Sequence, residues 1–181
     1  WMIGAVARIM DPGCKLDTLP IVSGVQGSGK STGFAALCPD PAWFSDTRLP
    51  IDNETRAAEM LRGVWIYEIA ELEAFRGREV STVKSFLSSR ADRIRPAYGR
   101  FAERFQRQVV FVGTTNAATF LSDETGGRRF WPIVSGVVDV AGIARDRDQL
   151  WAEALHHYRA GEQWHLTPPE AAQAAGVQEE A

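Results

Sequence analysis

An α/β fold with a mainly parallel central sheet flanked by helices is predicted from three features of this sequence. Short apolar runs alternate with stretches of helical spacing, the pattern of strands joined by crossover helices. The first apolar run, Leu19–Gly24, leads into a glycine-rich loop. The third, Val64–Ile69, closes on a carboxylate, Glu68.

The elements follow in order. Leu19–Gly24 reads as a short buried strand, and Ser31 to about Leu37 as the helix after it. Trp43–Ser45 is a second strand. Asn53–Arg62 has helical spacing, with Ala57, Met60 and Leu61 on one side, and Gly63 breaks it. Val64–Ile69 is a strongly apolar strand. Val80–Ser89 reads as a helix with Val83, Phe86 and Leu87 inward. Val109–Gly113 is another buried strand, and Phe130–Val134 the last. Pro132 cannot donate to a ladder, which puts this last strand at an edge. Asp148–Arg159 is an amphipathic helix with Leu150, Trp151, Ala154, Leu155 and Tyr158 on its apolar face. Residues 1–165 are therefore expected to form one core, and residues 166–181 a frayed or surface-helical tail.

Gly24–Ser31 fits G-x-x-x-x-G-K-[ST] in full, between a predicted strand and a predicted helix. This is the pattern of a phosphate-binding loop (P-loop) for Mg-ATP. Gly24, Gly27 and Gly29 let backbone N–H groups curl round a phosphate, with Gln26 and Ser28 between them. The helix start adds the positive end of its dipole. Lys30 reaches the outer phosphates as a point charge. The Ser31 hydroxyl is a Mg²⁺ ligand, and Thr32 extends the polar helix start.

Such a loop needs a carboxylate at a neighbouring strand end to hold Mg²⁺. Glu68 is the candidate, with Ser31 as the other protein ligand. Glu71, three residues on, either polarises the attacking water or caps the next helix. Asn116, after Val109–Val112, either holds that water or forms a turn. Arg128 and Arg129 follow a glycine turn. Arginine suits phosphoryl-transfer charge because its fork matches phosphate oxygens, and it can come from a neighbouring subunit. The alternative is a solvated pair, or ion pairs with Asp123 and Glu124.

Hydrophobic residues make up 45% and charged residues 24%, a globular balance. The two cysteines and three histidines form no ligand pattern, and both cysteines are expected to be ordinary thiols in a reducing, cytoplasmic setting. No apolar run approaches the roughly 18 residues of a membrane span, so no membrane partner is expected. The chain starts at Trp1, so a preceding partner domain is expected. The net charge of −3 is unevenly distributed. Between Arg76 and Arg107 lie nine basic residues against three acidic ones, which leaves −9 for the rest. Single-stranded nucleic acid is gripped by a positive groove plus stacking side chains. Lys84, Arg93, Arg95, Tyr98 and Arg100 are the candidates, with burial of Phe101 and Phe105 also compatible; the alternative is a solvated basic face.

GVQGSGKST, GVWIYEIAEL, VVFVGTTN and DETGGRRFWPI, in this order over residues 15–165, resemble the virulence-associated E family of phage and mobile-element replication proteins. The resemblance implies an AAA-type ATPase core like that of superfamily 3 helicases, often attached to a primase domain. It implies Lys30 and Ser31 for nucleotide, Glu68 and Glu71 for the acidic motif, Asn116 as sensor, and Arg128 or Arg129 as finger. It also implies that Lys84–Arg107 holds a hairpin touching DNA. The expected function is an ATP-dependent helicase or translocase acting on single-stranded or forked DNA, assembled as a homo-oligomeric, hexameric ring. The rival expectations are a small-molecule kinase, in which the basic stretch is a lid, and a non-catalytic, nucleotide-switched assembly module.

Overall fold

A computed structural model of the chain describes residues 1–70, 78–95, 99–116, 129–167 and 169–170. Its centre is a five-stranded sheet built from β1 (Leu19–Ser23), β2 (Phe44–Ser45), β3 (Ile66–Ile69), β6 (Val110–Thr115) and β7 (Phe130–Val134), in the order β2-β3-β6-β1-β7. Every neighbouring pair is parallel. Five helices are described: α1 (Met2–Met10), α2 (Lys30–Leu37), α3 (Glu54–Met60), α4 (Arg78–Ser88) and α5 (Val140–Arg159). A separate antiparallel pair, β4 (Ala91–Ile94) and β5 (Glu103–Gln106), stands outside the sheet.

Strands buried on both faces need two cores, because side chains alternate across the sheet. On one face Leu19, Ile21, Tyr67, Ile69 and Phe111 pack with Ala57 and Leu61 from the α3 region and with Val83, Phe86 and Leu87 of α4. On the other, Ile66, Val110 and Val112 pack with Ala5 and Val6 of α1 and Trp151 and Ala154 of α5. Trp65 stacks on Trp151 at 4.4 Å between ring centres, and its Nε1 donates to the Ala5 carbonyl at 3.1 Å. The α3 helix starts where Asn53 Oδ1 accepts from the Arg56 amide at 3.1 Å, and α5 where Asp139 Oδ1 accepts from the Gly142 amide at 2.9 Å.

The parallel sheet and its helices agree with the sequence reading, and β7 is the edge strand that Pro132 foretold, paired among the described residues to β1 alone. Three features differ. Helix α1 was not expected. Helix α5 begins eight residues before Asp148, because Asp139 caps it there. The strands β4 and β5 were not visible in periodicity, although they form an antiparallel pair within Lys84–Arg107, where the resemblance implies a hairpin.

Arg8 explains how α1 is fastened. It is 2% exposed and donates to the carbonyls of Leu16 (2.9 Å) and Arg107 (3.3 Å). Burial lowers its pKa, the cost of placing a guanidinium among backbone carbonyls instead of water. No helix among the described residues is long and apolar enough to cross a membrane.

Candidate functional site

In an open α/β sheet the crevice lies beyond the C-terminal ends of the strands. Here the C-terminal ends of β1, β3 and β6 lie side by side at that edge. The β1–α2 loop takes two residues into positive φ, Gly27 at 78° and Gly29 at 89°, a conformation that side chains with a Cβ disfavour. A Cβ on Gly27 would meet nothing within 4 Å among the described residues, so the crest of the loop faces away from them with its backbone uncovered by them. Val25, Gln26 and Gly27 are exposed, and the buried Ser28 Oγ has no partner among the described residues.

Lys30 opens α2 and curls back over the loop. Its Nζ donates to the carbonyls of Gly24 (2.8 Å) and Val25 (2.9 Å) and to Asn116 Oδ1 (3.0 Å). Asn116 follows β6 directly, so the central strands bring it to the ammonium. Ser31, the next residue, donates from Oγ to Glu68 Oε1 at 2.7 Å. Glu68 is 2% exposed, near the C-terminal end of β3 and opposite Val112 of β6. Thr114 Oγ1 donates to the same carboxylate oxygen, while Glu68 Oε2 is buried without a partner among the described residues. A buried carboxylate oxygen left bare is costly unless a cation or donor completes it. This arrangement fits a hard cation bound by a hydroxyl and a carboxylate.

Gly24, Lys30, Ser31, Glu68 and Asn116 are thus drawn together. Thr32 lies exposed on the first turn of α2, away from these contacts. Thr114 was missed by sequence reasoning, although a polar residue ending an apolar strand beside Asn116 was signal enough to find it. Glu71 and Arg128 lie outside the described residues, as does Tyr98.

Arg129 stands elsewhere. It precedes β7, whose register pairs Phe130 with Leu19 and Val134 with Ser23. Five residues of strand at about 3.3 Å each put roughly 16 Å between Arg129 and the loop end of the sheet. Its Nε donates to Ser88 Oγ (3.1 Å) and lies 3.5 Å from Asp17 Oδ2. Arg129 therefore cannot reach the loop of its own chain. Lys84 shares this end: its Nζ lies 5.9 Å from the centre of the Phe130 ring, and burial, with Arg129 nearby, lowers its pKa.

The β4–β5 hairpin feeds β6 at its N-terminal end, also opposite the loop. The basic stretch divides there into two kinds of arginine. Arg107 is 4% exposed, pairs bidentately with Asp92 (2.6 and 2.8 Å) and donates to the Phe86 carbonyl. Arg90 Nε donates to the Gly13 carbonyl at 2.7 Å. These two hold the hairpin base. Arg93, Arg95, Arg100 and Arg104 are exposed. Arg93 and Arg104 are register partners, like charges directly opposite, an arrangement that is unfavourable without an anion. Together with Arg90 and Ser89 they line a concavity of about 670 Å³. Burial of Phe101, which the sequence left open, is not found: it is 80% exposed. Phe105 is half-buried beneath the Arg62 guanidinium, 4.3 Å from its ring centre.

The family model of the virulence-associated protein E-like domain matches residues 1–181. Among solved structures, the apo structure of the NrS-1 C-terminal region (305–718) superposes with a TM-score of 0.57 at 16% identity, covering 98% of this chain and 46% of that one. The A-form apo structure of the NrS-1 C-terminal region gives a TM-score of 0.56 at 16% identity, covering 84% of this chain and 40% of that one. This chain thus spans less than half the length of either. No curated protein matches the sequence.

Proposed function

We propose, from the premise that this chain belongs to the virulence-associated protein E-like domain family, that it is the ATP-driven motor core of a phage or mobile-element replication protein. In this reading Gly24–Ser31 is a P-loop within an AAA-type core, and the protein is a helicase or translocase on single-stranded or forked DNA. The observation that carries it is the convergence of Lys30, Ser31, Glu68 and Asn116 at one sheet edge.

The residues fit Mg-ATP. The exposed crest at Gly27 offers backbone amides and open space to phosphate oxygens, and Lys30 can exchange two carbonyls for them. Ser31 and Glu68 would hold Mg²⁺, which neutralises charge on the phosphates when bound. Asn116, already on Lys30, would orient a water. Support for nucleic acid comes from the hairpin face of Arg93, Arg95 and Arg104. Its location opposite the loop also disfavours the kinase alternative, which needs those arginines as a lid over the phosphates.

Because Arg129 cannot serve its own loop, its proposed role is as a finger for a neighbouring copy, which implies a homo-oligomer, in the full protein a hexameric ring. The test is Mg-ATP hydrolysis with and without single-stranded DNA, alongside a mass measurement in solution. DNA-stimulated turnover by an oligomer supports the motor. Turnover by a monomer, indifferent to DNA, supports a kinase, and binding without turnover a switch.

A further inference from the structure

Gly33 lies outside the loop motif, inside α2, where glycine is unfavourable relative to alanine. The surrounding structure supplies its reason. A Cβ at Gly33 would stand 2.9 Å from Val138 Cγ1 and 3.4 Å from Ile143 Cδ1. The same stretch, Ser135–Asp139 between β7 and α5 with Val140 at the start of α5, crowds two further glycines. A Cβ at Gly24 would meet the Ser135 carbonyl oxygen at 2.8 Å, and one at Gly29 would meet Val140 Cγ2 at 3.3 Å. Backbone bonds fasten the segment along the loop: Ser135 N–H to the Ser23 carbonyl and Val138 N–H to the Ser28 carbonyl, both 2.8 Å. Its far end is fixed by Asp139, which caps α5. Gly27, the one glycine of the loop that faces open space, is also the one this segment does not touch.

We infer that Ser135–Val140 is a strap that holds the Gly24–Ser31 loop in its curled form, and that Val138 is the positioning residue at its centre. Val138 donates its amide to the back of the loop and seats its side chain on Gly33, so the loop's crest stays pre-shaped while its back is clamped. This rests on the reading of Gly24–Ser31 as the nucleotide loop. Preorganisation acts on affinity, because a loop already in its bound shape has less entropy to lose on binding.

The test is a steric exchange read by titration with a non-hydrolysable ATP analogue and Mg²⁺, with folding verified by circular dichroism. Gly33→Ala drives a methyl group into Val138 and is expected to weaken binding at least about tenfold, since overpacking a tight contact displaces its partner. Val138→Ala leaves a gap and is expected to cost about threefold. The double variant, in which the new methyl occupies the space vacated, is expected to bind within about twofold of Val138→Ala. A merely structural contact would lower Tm in each variant without this recovery in affinity. Should Gly33→Ala fail to fold, Val138→Ala, a truncation at a half-buried position, decides the matter by its affinity loss. If the wild type binds and all three variants bind equally well, the strap is overturned while the nucleotide site stands. If the wild type itself does not bind, the nucleotide reading fails and takes the strap with it.

Discussion

The Ser31 hydroxyl donates to Glu68 Oε1 at 2.7 Å, joining the first turn of α2 to the end of β3 across the mouth of the crevice. Glu68 Oε2 beside it is buried and has no partner among the described residues. If this pair holds Mg²⁺, Glu68→Gln should weaken Mg-dependent ATP binding by about tenfold or more, as removal of a charged ligand does. Glu71→Gln should leave binding intact and stop hydrolysis. Nucleotide titration and turnover on both variants separate the roles, and the opposite pattern would exchange them.

The two kinds of arginine in the basic stretch predict two kinds of variant. Arg107→Ala removes the partner of Asp92 within the hairpin base, and breaking such a buried pair costs about 3–5 kcal/mol, so thermal unfolding should show a large drop in Tm. Arg93→Ala, Arg95→Ala and Arg104→Ala should leave Tm nearly unchanged. Each should lower the slope of log affinity against log salt for single-stranded DNA by about 0.7. An unchanged slope would make the exposed face a solvated surface.

Much of this was legible in the sequence because the motifs are local. The loop, the carboxylate ending an apolar strand and the edge strand bearing Pro132 each depend on a few adjacent residues. What was not legible depends on distant partners. Helix α1 has no capping side chain, and it is held by Arg8 reaching the carbonyls of Leu16 and Arg107. The strands β4 and β5 hold adjacent charged residues, Asp92 with Arg93 and Glu103 with Arg104, and few apolar ones, so period two gave no hydrophobic signal. The net charge of the basic stretch concealed Arg90 and Arg107, whose partners Gly13 and Asp92 only the fold brings near. The reason for Gly33 lies in Val138, which only the fold brings against it.

Cys38 offers a test of the packing that is independent of function. It is 3% exposed, and burial pushes its thiol up to about 11. A folded-state pKa raised above the unfolded value of 9.0 means the neutral thiol's contribution is complete below pH 9 and lost as pH rises through about 11. Tm should fall across that window. Cys14 is buried as well, so a thiol reagent at pH 8 should label neither cysteine in the native protein and both in denaturant. Rapid labelling of native Cys38 would contradict the packing between α2 and the sheet.

Arg129 lies at the wrong end of β7 for its own loop, so a finger role requires a second copy. A chain carrying Arg128→Ala and Arg129→Ala keeps its loop; a Lys30→Ala chain keeps its arginines. Neither should turn over alone, and mixing them should restore part of the activity, since a finger is worth about 10³–10⁵ in rate. Absence of recovery, with mixed oligomers shown to form, would remove the finger in trans.

The central claim is that Lys30, tied in this structure to Gly24, Val25 and Asn116, exchanges those partners for the phosphates of ATP. The direct measurement is Mg-ATP turnover by the wild type and by Lys30→Ala, both at saturating single-stranded DNA. The account predicts hydrolysis by the wild type and none above background by the variant, with the fold of both intact by circular dichroism. Hydrolysis by Lys30→Ala at a rate near that of the wild type would contradict it.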